Sequence, residues 1–283
     1  MLQNRLEHSN NPKLQTSSLF GLMLIIAGVL FIVDLQLKTR WLTISIPAVL
    51  GLILLIYGFL SGKKGWLIAG ALVTGVGLGS FFALQQFLTI PLVRRFGYLA
   101  MFIAISWLIV LVILRVFYQT TAWWALLMGG IFGGTAYSLL FSPLQVFDFV
   151  LSISIGLGVV FLLWGWVQKL IGLIIPGSIL ITSGPGISIA WSHATSPEGL
   201  VETGVMLVWF ALGWLLITVF SRLIYKKFIW WPLIPGGVLA MVGWGLYIGG
   251  NPGNALGFVG NSGSIGLIIF GVYLLLLRFG MQK

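Results

Sequence analysis

The chain has 283 residues, of which 59% are hydrophobic and only 7% charged, against roughly a quarter charged in ordinary soluble domains. So few charges cannot clothe a water-facing surface, which excludes a soluble globular protein and leaves most helix faces to meet lipid or one another. The formal charge of +10 reads as lysine and arginine holding loops in the cytoplasm, not as a nucleic-acid footprint, and the lack of cysteine excludes disulfides and thiolate chemistry.

Residues 1–16 are polar, are broken by Ser9, Asn10, Asn11 and Pro12, and lack the cleavage pattern of a signal peptide. They are expected to form a cytoplasmic tail before an uncleaved first helix. A membrane-spanning helix needs about 20 successive apolar residues, and about ten such runs follow. Spans 18–35 and 41–60 make a variant hairpin within 17–62. Four tandem hairpins are expected over 63–283, with spans 66–88 and 98–117, 123–141 and 149–167, 170–190 and 203–224, and 230–249 and 264–277. Gly184-Pro185-Gly186 is expected to interrupt the seventh. The expected fold class is all-α: a polytopic membrane protein with both termini cytoplasmic.

Four spans open on related strings after a polar or basic break. These are Gly65-Trp66-Leu67-Ile68, Trp123-Trp124-Ala125-Leu126-Leu127-Met128-Gly129-Gly130, Ile171-Gly172-Leu173-Ile174-Ile175-Pro176-Gly177 and Trp230-Trp231-Pro232-Leu233-Ile234-Pro235-Gly236-Gly237. Tryptophan favours the headgroup layer. A proline inside a helix strips the carbonyl four residues earlier of its partner, here Trp231 for Pro235, Gly172 for Pro176 and Thr43 for Pro47. The glycines allow close helix contact, as at the four-residue spacings Gly75/Gly79, Gly129/Gly133, Gly130/Gly134 and Gly245/Gly249. Trp66, Trp123, Trp124, Pro176, Trp230, Trp231, Pro235, Gly236 and Gly237 are therefore candidate structural or interface positions.

The basic residues give the array a direction. With the N-terminus inside, eleven of the fifteen lysines and arginines fall on the cytoplasmic side and only Lys38, Arg40, Arg94 and Arg95 opposite, which follows the positive-inside rule. The four motif helices then all rise from the cytoplasm, as in parallel repeats rather than inverted ones.

These Trp-Trp-x-Leu-Ile-Pro-Gly-Gly openings with glycine-spaced apolar hairpins resemble a group of uncharacterised bacterial multi-spanning proteins. They are also distantly similar to the membrane part of LiaF-like cell-envelope stress proteins. Trp230 to Gly237 carries the pattern in full; Met128 replaces the proline in one string and Gly172 the tryptophan in another. The resemblance implies a bacterial inner membrane and supplies no activity.

Residues with chemical potential are few. Asp34, Arg115, Asp148, Glu202 and Arg222 fall near span ends, where interfacial anchoring is the expected role. Asp148 and Glu202 are the two acids that a water-filled vestibule could use. His8 lies in the tail, and His193 with Glu198 in an outer loop offers two ligands where a metal needs three or four. Gly75-Val76-Gly77-Leu78-Gly79 lies inside an apolar helix, and the run from Gly249 to Asn254 lacks the lysine of a phosphate loop. Gln85 and Gln86, and the Gly- and Asn-rich stretch 251–263, discriminate no function.

The expected protein is thus non-catalytic, without catalytic, cofactor or metal residues. It is an accessory, assembly or scaffold subunit whose partners are membrane lipids and other integral membrane proteins. The alternatives are a transporter or channel for a small neutral or apolar solute and, less in keeping with the residues, an interfacial lipid enzyme.

Overall fold

The computed structural model describes residues 12–38, 40–84, 91–142, 145–192, 199–226 and 228–249, together with Gly257 and Gly260, and side chains from Ser18 onward. Among these residues the chain is all-α. Its helices are α1 (Pro12–Leu37), α2 (Trp41–Ser61), α3 (Lys64–Leu84), α4 (Leu92–Tyr118), α5 (Trp123–Phe141), α6 (Val146–Gln168), α7 (Ile171–Trp191), α8 (Leu200–Tyr225) and α9 (Leu233–Gly249). The first eight are long and apolar enough to cross a membrane, and α9 is shorter. The chain is a multi-pass membrane protein. The tail 1–11, Gln85 and Gln86, His193 and Glu198, and the tenth span 264–277 lie outside the described residues.

Helix limits follow hydrogen bonding rather than hydropathy, and this moves several expected ends. Helix α4 starts at Leu92, not at residue 98, because Pro91 stands at its N-cap and its carbonyl accepts the Arg94 and Arg95 amides at 3.0 and 3.2 Å. Charged side chains do not prevent a helix from projecting beyond the apolar layer. Helix α7 runs unbroken through Gly184-Pro185-Gly186. Gly184 is pressed on Ser154 of α6 and Gly186 on Trp209 of α8, so packing on both flanks carries the helix past the one bond Pro185 removes. Helix α9 starts at Leu233 rather than at Trp230. Trp230 and Trp231 belong to the preceding turn, and the Trp231 carbonyl accepts the Ile234 amide at 3.2 Å. Pro235 therefore lies in the first turn, where a missing amide costs nothing, and the expected orphan carbonyl at Trp231 does not arise.

The chain divides into two compact units, residues 1–141 and 142–283. In the first, each of α2 to α5 packs on its chain neighbour, and α1 adds to α2. Only 11% of the α1 span is enclosed, chiefly through Leu19 and Met23 beside Leu54. Glycines set the α2–α3 contact. Gly51 and Gly58 of α2 meet the backbone of Thr74 and Leu67, while Gly70 and Gly77 of α3 meet that of Leu55 and Ala48. A Cβ at Gly58 would lie 2.6 Å from the Leu67 amide nitrogen. The four pairs share one antiparallel register, since glycines seven apart return to the same helix face after two turns. Gly75 and Gly79 do meet α4, at Ser106 and Leu99, whereas Gly133 faces open space.

Several interior contacts of the second unit correspond to contacts of the first. Gly158, Gly165, Gly177 and Gly184 take the places of Gly51, Gly58, Gly70 and Gly77, at one offset of 107 residues, and meet Ile181, Ile174, Leu162 and Ser154. At the same offset, enclosed Leu67 and Val110 become Ile174 and Ile217. The perpendicular Trp107–Trp124 pair, with centroids 5.3 Å apart, becomes Trp214–Trp231 at 5.8 Å. Gly75 facing the Ser106 hydroxyl becomes Thr182 facing Gly213, with the hydroxyl moved to the other helix.

These contacts make a graded expectation. Gly77→Ala and Gly184→Ala force backbones apart and should each lose about 1–3 kcal/mol of stability. Gly133→Ala and Gly237→Ala meet nothing within 4 Å and should leave it unchanged or raise it by up to about 1 kcal/mol. Unfolding in mixed micelles reads both.

Candidate functional site

Helix α2 begins without a capping residue of its own: Arg40 occupies the N-cap at φ 60° and makes no side-chain cap. The first amides of a helix need outside acceptors, and here α1 supplies them. Asp34 lies one turn before the end of α1, is 4% exposed, and accepts the Leu42 amide at 3.2 Å and the Thr43 amide at 3.1 Å. The Thr43 hydroxyl donates to the same carboxylate. A carboxylate at a helix N-terminus is also favoured by the helix dipole. Sequence reasoning placed Asp34 at the interface as an anchor; it is instead a buried cap joining two helices. The signal was present in the unsuitable N-cap, since an arginine cannot accept amide protons.

Around this cap lies an open groove of about 570 Å³, lined by Phe31, Asp34, Leu35, Lys38, Arg40, Thr43 and Ile44. Lys38 and Arg40 are exposed, and both hold a left-handed backbone, at φ 51° and 60°. An acid, two cations and a cavity are thus brought together at this turn.

The two acids singled out from the sequence have different settings. Asp148 is the third residue of α6 and forms a reciprocal capping box with Gln145, whose amide it accepts at 3.2 Å. That is a local structural role. Glu202 lies in the first turn of α8, at a span end, and is 5% exposed. It occupies in the second unit the position that Arg95 has in the first.

The motif residues divide into two environments. Trp66 enters the interior of its unit, edge-on to Phe20 and Tyr57 at 5.9 and 5.8 Å. At the same offset its place is taken by Leu173, while Gly65 and its counterpart Gly172 both face open space. Trp123 is half-buried, while Trp124 and Trp231 are exposed but seated on Trp107 and Trp214. Trp230 is exposed. Pro176 is half-buried within α7. Gly236 meets Trp214, and Gly237 opens on a shallow apolar groove of about 240 Å³ that also includes Ala211, Leu215 and Leu233.

Interior hydroxyls divide into two groups: Thr74 donates to the Gly70 carbonyl, Ser106 to Phe102, Thr135 to Ile131 and Ser221 to Thr218, each at 2.7 or 2.8 Å, whereas the buried hydroxyls of Ser138, Ser152, Ser178 and Thr218 have no partner among the described residues. They are denser in the second unit. Ser178, Thr182, Thr218 and Ser221 are all buried there at positions the first fills with Ala71, Gly75, Leu111 and Leu114. No group of three or more His, Cys, Asp and Glu that could hold a metal occurs among the described residues.

Removing the cap should loosen α1 selectively. Asp34→Ala is expected to lose about 1–2 kcal/mol, and Thr43→Val, which deletes one donor, about 1 kcal/mol or less. Protease nicking at the α1–α2 turn should rise in the same order. Comparison of the chain with protein-family models, with curated proteins and with solved structures finds no match.

Proposed function

We propose that this protein is a non-catalytic subunit of a membrane complex, acting in accessory, assembly or scaffold capacity among other integral membrane proteins. The observation that supports this reading is the manner of closure. Within each unit neighbouring helices meet backbone to backbone at glycines, which leaves little room between them. Such packing favours a rigid body presenting outward surfaces over a moving gate. Those surfaces are broad and apolar: Leu24, Ile25, Leu60, Val116 and Leu223 are each more than half exposed, which suits lipid or the helices of a partner.

We read the matched interiors as two copies of one four-helix module, α2–α5 and α6–α9, preceded by α1. Under this reading the four entry strings belong to two classes, one opening α3 and α7 and one at the start of α5 and α9. The distribution of lysine and arginine supports a cytoplasmic N-terminus, and a tenth span over 264–277 would return the C-terminus to the same side. The resemblance to LiaF-like proteins supports a bacterial inner membrane.

A second reading, a channel or transporter for a small neutral solute, draws on the buried hydroxyls of the second unit. The two are separated by one preparation. Native purification in mild detergent should retain a stable integral membrane partner, and vesicles holding the purified protein should release neutral solutes no faster than protein-free ones. A partner-free monomer that accelerates release, with the rate lost in Thr218→Val, would reverse the assignment.

A further inference from the structure

The two cations at the α1–α2 turn are not required to start a helix at that point. At the matching place in the second unit, α6 starts from its own capping box of Gln145 and Asp148. There Phe147 and Val150 stand where the first unit has Arg40 and Thr43. In the first unit Asp34 caps α2 from the preceding helix. Neither arrangement uses the side chain of Lys38 or Arg40 as a cap, yet both residues line the groove and both adopt a backbone conformation that glycine takes more readily.

The field at this groove is cationic. The Asp34 carboxylate is turned to the amides of α2, whose N-terminus adds partial positive charge. The ammonium and the guanidinium carry full charges beside it. The rest of the wall is apolar, formed by Phe31, Leu35 and Ile44. Phe20 and Leu24, eleven and seven residues before Phe31, share its face of α1 and are exposed as well, continuing that apolar surface away from the charged end. Positive charge at one end of an apolar track is complementary to a membrane lipid with a negatively charged headgroup.

We propose that the α1–α2 turn is a binding site for one anionic phospholipid. Its phosphodiester is held between the Lys38 ammonium and the forked donors of Arg40, and its acyl chains lie along Phe31, Leu35 and the exposed face of α1. The site belongs to the first unit alone, and it stands whether the protein proves to be a scaffold or a transporter.

The test uses the full chain in bilayer discs of phosphatidylcholine containing phosphatidylglycerol, with lipid retention after transfer to detergent read by native mass spectrometry. The wild type should retain one phosphatidylglycerol at least tenfold more often than phosphatidylcholine. Lys38→Gln with Arg40→Gln should abolish that preference, while Lys226→Gln, a basic residue at another helix end, should keep it. Equal retention of the two lipids by the wild type, or an unchanged preference in the double variant, overturns the proposal. So does displacement of the lipid by millimolar inorganic phosphate, which would make this a site for free anions. If the double variant does not fold, Arg40→Lys replaces it: severalfold weaker retention supports the forked contact, and full retention rejects it.

Discussion

Everything in this structure depends on how closely two helix backbones can approach in a solvent as apolar as their own side chains. In lipid, burying leucine against leucine gains little, and association falls to van der Waals contact at short range. Glycine is the residue that permits that range. At Gly51, Gly58, Gly70 and Gly77 the neighbouring backbone occupies the space of a side chain, so α2 and α3 can come together without a bulky core. The same solution closes α6 on α7. Between α8 and α9, Gly204 and Gly243 face each other's carbonyls, with a Cβ at either lying 2.6 or 2.7 Å from the opposite oxygen.

Helix α1 shows what happens without that contact. Gly21 and Gly28 meet nothing within 4 Å, and few α1 side chains are enclosed. Its attachment rests on Leu19 and Met23, on Phe20 against Trp66, and on the Asp34 carboxylate. A polar tether thus replaces shape complementarity. The aromatic contacts have a comparable secondary role. The Tyr118 hydroxyl donates to the Gly62 carbonyl at 2.9 Å and its ring lies beneath the Lys64 ammonium at 4.9 Å, tying the end of α4 to the turn between α2 and α3.

The membrane class and most spans were legible because apolar length is a direct physical requirement. The fifth span agrees with α5 at both ends, and the second differs from α2 by a single residue. The start of α4 was not legible from hydropathy, since Arg94 and Arg95 end the apolar run but not the helix. Pro235 was misplaced because the tryptophans before it look like a helix entry and are a turn. A search for glycines four apart finds Gly75 and Gly79 but passes over Gly51 with Gly58 and Gly70 with Gly77, which are two turns apart. Asp34 was legible only as a charge. Its task depends on α1 folding back on α2, which no local spacing encodes.

The constant spacing between the two interiors has a consequence for what can vary. One residue inserted between Gly51 and Gly58 would rotate the following glycine by about 100° around the helix, away from α3 and into lipid. Side chains of similar bulk can be exchanged without that penalty, as where Leu67 and Ile174, or Val110 and Ile217, fill the same place. Trp66 and Leu173 differ in shape, and Arg95 and Glu202 in the sign of their charge, and the register is still intact. Over the two matched stretches the side chains differ at many places, whereas the number of residues between the contacts is the same.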